Sequence, residues 1–133
     1  MEWIMIFSKE ETPAAIENME YCYSGFVIQP EEMQEGDSVY IGTLAYDGRF
    51  IYKTLVTQLN AHTLANGMVL AQVEPLYPIR LSDELLLDKL SIKKKEILEP
   101  QKISEELGES LSSIFEKDED LDEAEYMKIL NGQ

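Results

Sequence analysis

Gly36-Asp37-Ser38-Val39-Tyr40-Ile41-Gly42 is the stretch whose reading decides the fold of this chain. Glycine and aspartate form turns, and here they hand directly into a β-branched and aromatic run with strand chemistry. Two more strand-like runs follow, RFIYKTLVTQL from Arg49 and MVLAQVEPLYPIRLS from Met68. Each is preceded by a hairpin signal, Asp47-Gly48 and Asn66-Gly67. Short strands separated by such turns predict a small barrel-like β domain.

Working outward, Trp3-Ile4-Met5-Ile6-Phe7 reads as a buried opening strand. Thr12-Pro13 marks a helix start, with a capping hydroxyl and proline at the first helical position, followed by a short helix over Ala14 to Met19. Tyr21 to Ile28 is strand-like, and Gly25 within it suggests a bulge or a close approach. Pro30 to Gln34 reads as a helical turn into the Gly-Asp pair. Strands are expected over 38–44, 49–58 and 68–74. Ser82 is expected to cap a helix over 83–90, and residues 91–101 read as a polar loop ending at Pro100. Ser104 starts a last helix with Leu107, Leu111, Ile114 and Phe115 on its inner face.

At 133 residues the chain is expected to hold one domain, residues 1–115, and an acidic C-terminal tail, 116–133, partly helical. Residues 116–125 carry seven acids and one lysine, a block that stays solvated. The start lacks a signal peptide's basic region. The uncharged stretch Leu55 to Val73 is too rich in Thr, Gln, Asn, His and Gly to span a bilayer. A single cysteine, Cys22, rules out an internal disulfide and points to a reducing, cytoplasmic setting.

The net charge is −15. Phosphate neutralisation supplies most generic nucleic-acid affinity, so sequence-independent duplex binding is excluded as the expected role. An acidic chain of this kind reads a base through a local pocket, meets a basic protein, or is simply well solvated.

The order of parts carries a resemblance. WIMIFS (Trp3 to Ser8), GDSVYIG (Gly36 to Gly42), IYKTLV (Ile51 to Val56) and MVLAQVEPLYPIRLSDELLLDKLSIK (Met68 to Lys93) together resemble the EVE domain of the PUA-like superfamily. The likeness covers residues 1–115. It implies an α+β fold, a PUA-like mixed-strand pseudo-barrel with flanking helices, here followed by an acidic C-terminal helix. It also implies a non-catalytic binding module that recognises a modified or flipped nucleobase in an aromatic-lined pocket. The chain departs from the family at Gly42, where another tyrosine is common.

Nine of the twelve aromatic residues fall within residues 1–52. Trp3, Tyr23, Phe26 and Tyr40 are the expected stacking faces, with Ser8 and Ser24 as hydrogen-bonding groups for the base. The triplet Lys93, Lys94 and Lys95, with Arg80, Lys89 and Lys102 near it in sequence, is the expected phosphate contact. Catalysis is not expected. His62 is the only histidine, no metal-ligand spacing surrounds it, and Cys22 between two tyrosines reads as a buried thiol. Asp37 reads as a cap for backbone amides of its own turn. No cofactor and no metal is expected, and no membrane partner. The alternative function is an acidic interaction protein, or nucleic-acid mimic, whose tail binds a basic protein partner.

Overall fold

The computed structural model describes residues 1–18, 20, 22–80 and 82–117. It is an α+β domain: a mixed six-stranded sheet curled into a half-barrel, with one substantial helix. The elements are β1 (Glu2–Phe7), a single helical turn α1 (Ala14–Glu17), β2 (Gly25–Ile28), β3 (Ser38–Thr43), β4 (Arg49–Thr63), β5 (Val69–Pro75), β6 (Ile97–Lys102) and α2 (Glu105–Glu116). Strand order is β2-β5-β4-β3-β1-β6. β1 and β3 pair in parallel, from Glu2↔Ser38 to Phe7↔Thr43, and every other neighbouring pair is antiparallel. The curl brings β2 and β6, the two ends of the order, towards each other.

Two apolar clusters lie on opposite faces of this sheet. Trp3, Met5 and Phe7 of β1 join Val39, Ile41, Val56, Ala71, Val73 and Val27 inside the curl. Ile4, Ile6, Tyr40 and Phe50 point the other way, under Leu111 and Phe115 of α2 and under Leu85 and Leu87. The unbroken apolar run of β1 therefore reflects burial on both faces, as expected of a strand in a parallel pair. A bulge opposite Ile41/Gly42 inserts Ile51, so Ile51 and Tyr52 both contribute to the inner cluster.

Several expectations are corrected. Thr12 does not cap α1; its hydroxyl donates to the Ser8 carbonyl and faces Thr43 Oγ1 at 3.1 Å, while Pro13 occupies the cap position. The second strand begins only at Gly25, where the chain passes close over the Tyr23 ring. β4 runs five residues past its expected end, to Thr63. The expected helix over 83–90 is a 3-10 turn at Asp83–Leu85, although Ser82 does cap it through the Glu84 N–H. The polar segment near Pro100 contains β6. Ser104 caps α2 through the Leu107 N–H at 3.1 Å, with Leu111 and Phe115 fully buried on the expected face. The helix expected in the acidic tail lies outside the described residues, apart from its first two positions.

Candidate interaction site

The expected site residues fold into different parts of the molecule. Trp3 is buried in the inner cluster, and its indole N–H donates to Asp37 Oδ2 at 2.9 Å. Tyr23 is buried in the same cluster, its ring 5.6 Å from that of Tyr52. Tyr40 is fully buried on the opposite face of the sheet, beneath α2. Phe26 stands on the outside, 44% exposed, with His62 edge-on at 4.7 Å. Ser8 accepts the Glu11 N–H in the loop after β1, and Ser24 is exposed just before β2. A sheet separates Tyr40 from Trp3 and Tyr23, so these rings do not line one pocket. The alternation of a strand sends neighbours Val39 and Tyr40 to opposite faces.

The basic residues are dispersed as well. Lys93, Lys94 and Lys95 are exposed on the loop before β6; Lys94 lies along Gly48 and pairs with Asp88 at 3.1 Å. Phe26 is in register with Gln72, which pairs with Gln58 of β4. Nine residues of β4 separate Gly48 from Gln58, roughly 30 Å of extended chain. The lysines and the Phe26 ring therefore lie towards opposite ends of β4. Arg80 is buried, donating to the Phe115 carbonyl at the end of α2, and Lys102 pairs with Glu32.

Beneath α2 the sheet carries a polar chain that periodicity did not reveal. Buried Lys53 on β4 donates to Ser112 Oγ at 2.8 Å and lies 3.7 Å from Glu116 Oε1. Ser112 and the Tyr40 hydroxyl are 2.7 Å apart, and Tyr40 donates to Glu2 Oε1 at 2.8 Å. One assignment satisfies every group: Lys53 to Ser112, Ser112 to Tyr40, Tyr40 to Glu2. The chain runs from a cation to an anion, so each bond polarises the next. The ammonium also sits over the rings of Tyr40 and Tyr77, at 5.6 and 5.8 Å. Burial raises the Tyr40 phenol well above its ordinary range; the Ser112 hydrogen bond opposes that, and the Glu2 carboxylate adds to it. Gly108 makes the approach possible, since a Cβ there would overlap the Glu2 carboxylate. A glycine in the middle of an otherwise amphipathic helix was the available signal.

The same corner opens to solvent as a cavity of about 590 Å³ lined by Met1, Glu2, Ile103, Glu105 and Glu109. All its charged side chains are carboxylates. Glu105 lies in the first turn of α2, where it complements the helix dipole; Glu109 and Glu2 lie outside that turn. A second cavity, about 480 Å³, lies between the end of β2, the β4–β5 turn and β6, lined by Ile28, Gln29, Asn66, Gly67, Met68, Val69 and Glu99. None of the expected ligand-binding residues lines either cavity.

Among the described residues no cluster of His, Cys, Asp or Glu is arranged to hold a metal ion, and no helix is long and apolar enough to cross a membrane. Cys22 is exposed, contrary to the buried thiol expected, because it precedes β2 rather than lying within it. No protein-family model, curated protein or solved structure matches this chain.

Proposed function

We propose that this chain is a non-catalytic interaction module that takes a cationic side chain of a basic partner into the cavity between β1 and α2. The observation that carries this reading is the lining: Glu2, Glu105 and Glu109 around the apolar side chains of Met1 and Ile103, with the Met1 ammonium held by Asp37. An arginine or lysine has that same division, an apolar stem and a charged head. Glu2 is oriented in advance by Tyr40, which limits the ordering needed on binding. The net charge of −15 steers a basic partner towards the molecule. The acidic tail, Asp118 to Glu125, would add to that field.

The test is titration with arginine-rich and lysine-rich peptides at several salt concentrations. Saturable binding that weakens with salt is expected. Glu105→Lys with Glu109→Lys should lower affinity by roughly tenfold or more. Unchanged affinity in that double variant would overturn the assignment of the cavity.

A second reading, EVE-like recognition of a modified or flipped base, is supported by the half-barrel and by the exposed Phe26 ring beside His62 and Ser24. Stacking on Phe26 would contribute about 1–3 kcal/mol. Titration of modified nucleosides, with and without Phe26→Ala, tests it: no saturable response by millimolar ligand removes the reading. A cytoplasmic location belongs to the same proposal and is supported by the lone cysteine.

A further inference from the structure

We propose that the outer edge of β4 beyond Val56, residues 57–63, is a self-association surface that pairs with the same edge of a second copy. β3 ends before this segment begins. The last backbone bonds on that side are Val56 N–H to the Asp37 carbonyl and Gly36 N–H to the Val56 carbonyl. Farther on, among the described residues, β4 pairs with β5 alone, through Gln58↔Gln72, His62↔Leu70 and Thr63↔Val69. Thr57, Gln58, Asn60, His62 and Thr63 are exposed.

Exposed strand edges are normally blunted by charge, proline or shortness. The other two edges of this sheet are blunted in those ways. β6 carries Glu99, Pro100 and Lys102, and β2 is four residues long. The β4 edge has none of these devices; residues 54–73 contain no Asp, Glu, Lys or Arg. It is interrupted twice, by a bulge at Thr57 and by one around Asn60, at φ +53°, braced by Gln29, whose Oε1 accepts the Asn60 N–H at 2.7 Å. The two bulges shorten the available ladder, so the pairing is weak.

Charge identifies the occupant. Two copies of a chain at −15 repel each other over most of their surfaces. A two-fold pairing sets this strand against its own copy, residue i facing j and j facing i, so like charges spread along it would oppose one another. This strand carries no charge to repel its twin. Leu64 and Met68, exposed at the tip of the same hairpin, extend the neutral face.

Sedimentation equilibrium from micromolar protein to about 1 mM tests the proposal. The mass is expected to rise from 15.2 kDa towards twice that value, with a midpoint on the order of 10⁻⁴ M, as befits a small interface. Added salt should strengthen the association by screening repulsion, the opposite of its effect on a basic partner. Thr57→Lys with Thr63→Lys should leave a monomer. Amide exchange of residues 57–63 in the unaltered protein should slow as its concentration rises, a readout independent of whether the variant folds. A mass fixed at 15.2 kDa, a double variant that associates like the parent, or protection confined to other strands would each overturn it.

Discussion

Trp3 and Asp37, thirty-four residues apart, are joined by an indole N–H to carboxylate bond of 2.9 Å. The same carboxylate accepts the Gln34 N–H at 3.0 Å and the ammonium of Met1 at 3.2 Å. The Gly-Asp turn is thus a clasp that fixes the register of β1 on β3 as well as a cap for its own backbone. Asp37→Ala leaves the buried indole donor and the turn amide without acceptors. A loss of about 2–3 kcal/mol is expected, with Trp3 fluorescence changing in the native baseline. Urea unfolding followed by that fluorescence measures both.

Gly108 and Glu2 compete for the same space. Gly108→Ala gains helix propensity, up to about 1 kcal/mol, but displaces the Glu2 carboxylate and costs Tyr40 its charged acceptor, leaving the Gly108 carbonyl at 3.3 Å. In the parent background the substitution is expected to be destabilising by roughly 1 kcal/mol. In a Glu2→Ala background it should become stabilising. A double-mutant cycle measures this change of sign, and strict additivity would contradict the geometry.

Gly42 is constrained from its partner strand. A Cβ at this position would lie 2.9 Å from the Arg49 carbonyl oxygen and 3.0 Å from the Phe50 ring. Because the nearest atom is backbone, accommodation requires the bulge beside it to move. Gly42→Ala is expected to lower stability by about 1–3 kcal/mol, read from the denaturant midpoint. Packing thus explains why this position is a glycine.

Alkaline pH should destabilise the fold through its buried phenols. Burial raises both Tyr40 and Tyr23 above the ordinary tyrosine value. The folded state holds these protons more tightly than the unfolded chain, so their contribution is fully present below about pH 10 and is lost as the pH rises past it. Denaturant midpoints are expected to fall above about pH 10, less steeply in Tyr40→Phe. The tyrosinate absorbance of these two residues should appear together with unfolding, not before it.

How much of this was legible can be argued residue by residue. The strand-turn-strand centre was readable because Asp47-Gly48 and Asn66-Gly67 sit where the chain reverses, with Asp47, Gly48 and Gly67 all at positive φ. The face of α2 was readable from its spacing, and the capping role of Asp37 from its turn. β6 was not, because Pro100 argues against a strand; proline is tolerated here since β6 lies at the edge of the sheet. The run Asp83 to Leu90 resembles a helix in spacing, yet Leu85 and Leu87 dock on the sheet in a turn that stops after one round. The aromatic residues were read as a set because they are close in sequence. Propensity for strands does not say which face each ring takes, and the half-barrel filled its interior with Trp3 and Tyr23 while sending Tyr40 under the helix. The Lys53 to Glu2 chain was invisible because its members come from β1, β3, β4 and α2, and only the assembled sheet brings them together.

The parallel partnership of β1 and β3 also governs how the chain assembles. β1 is central in the sheet, yet one of its neighbours, β6, ends at Lys102. On a ribosome the opening strand must wait for nearly the whole domain to emerge before both its flanks are satisfied. Its WIMIF segment stays open to wrong partners through that interval. Slow, concentration-sensitive refolding is the kinetic signature expected of this topology.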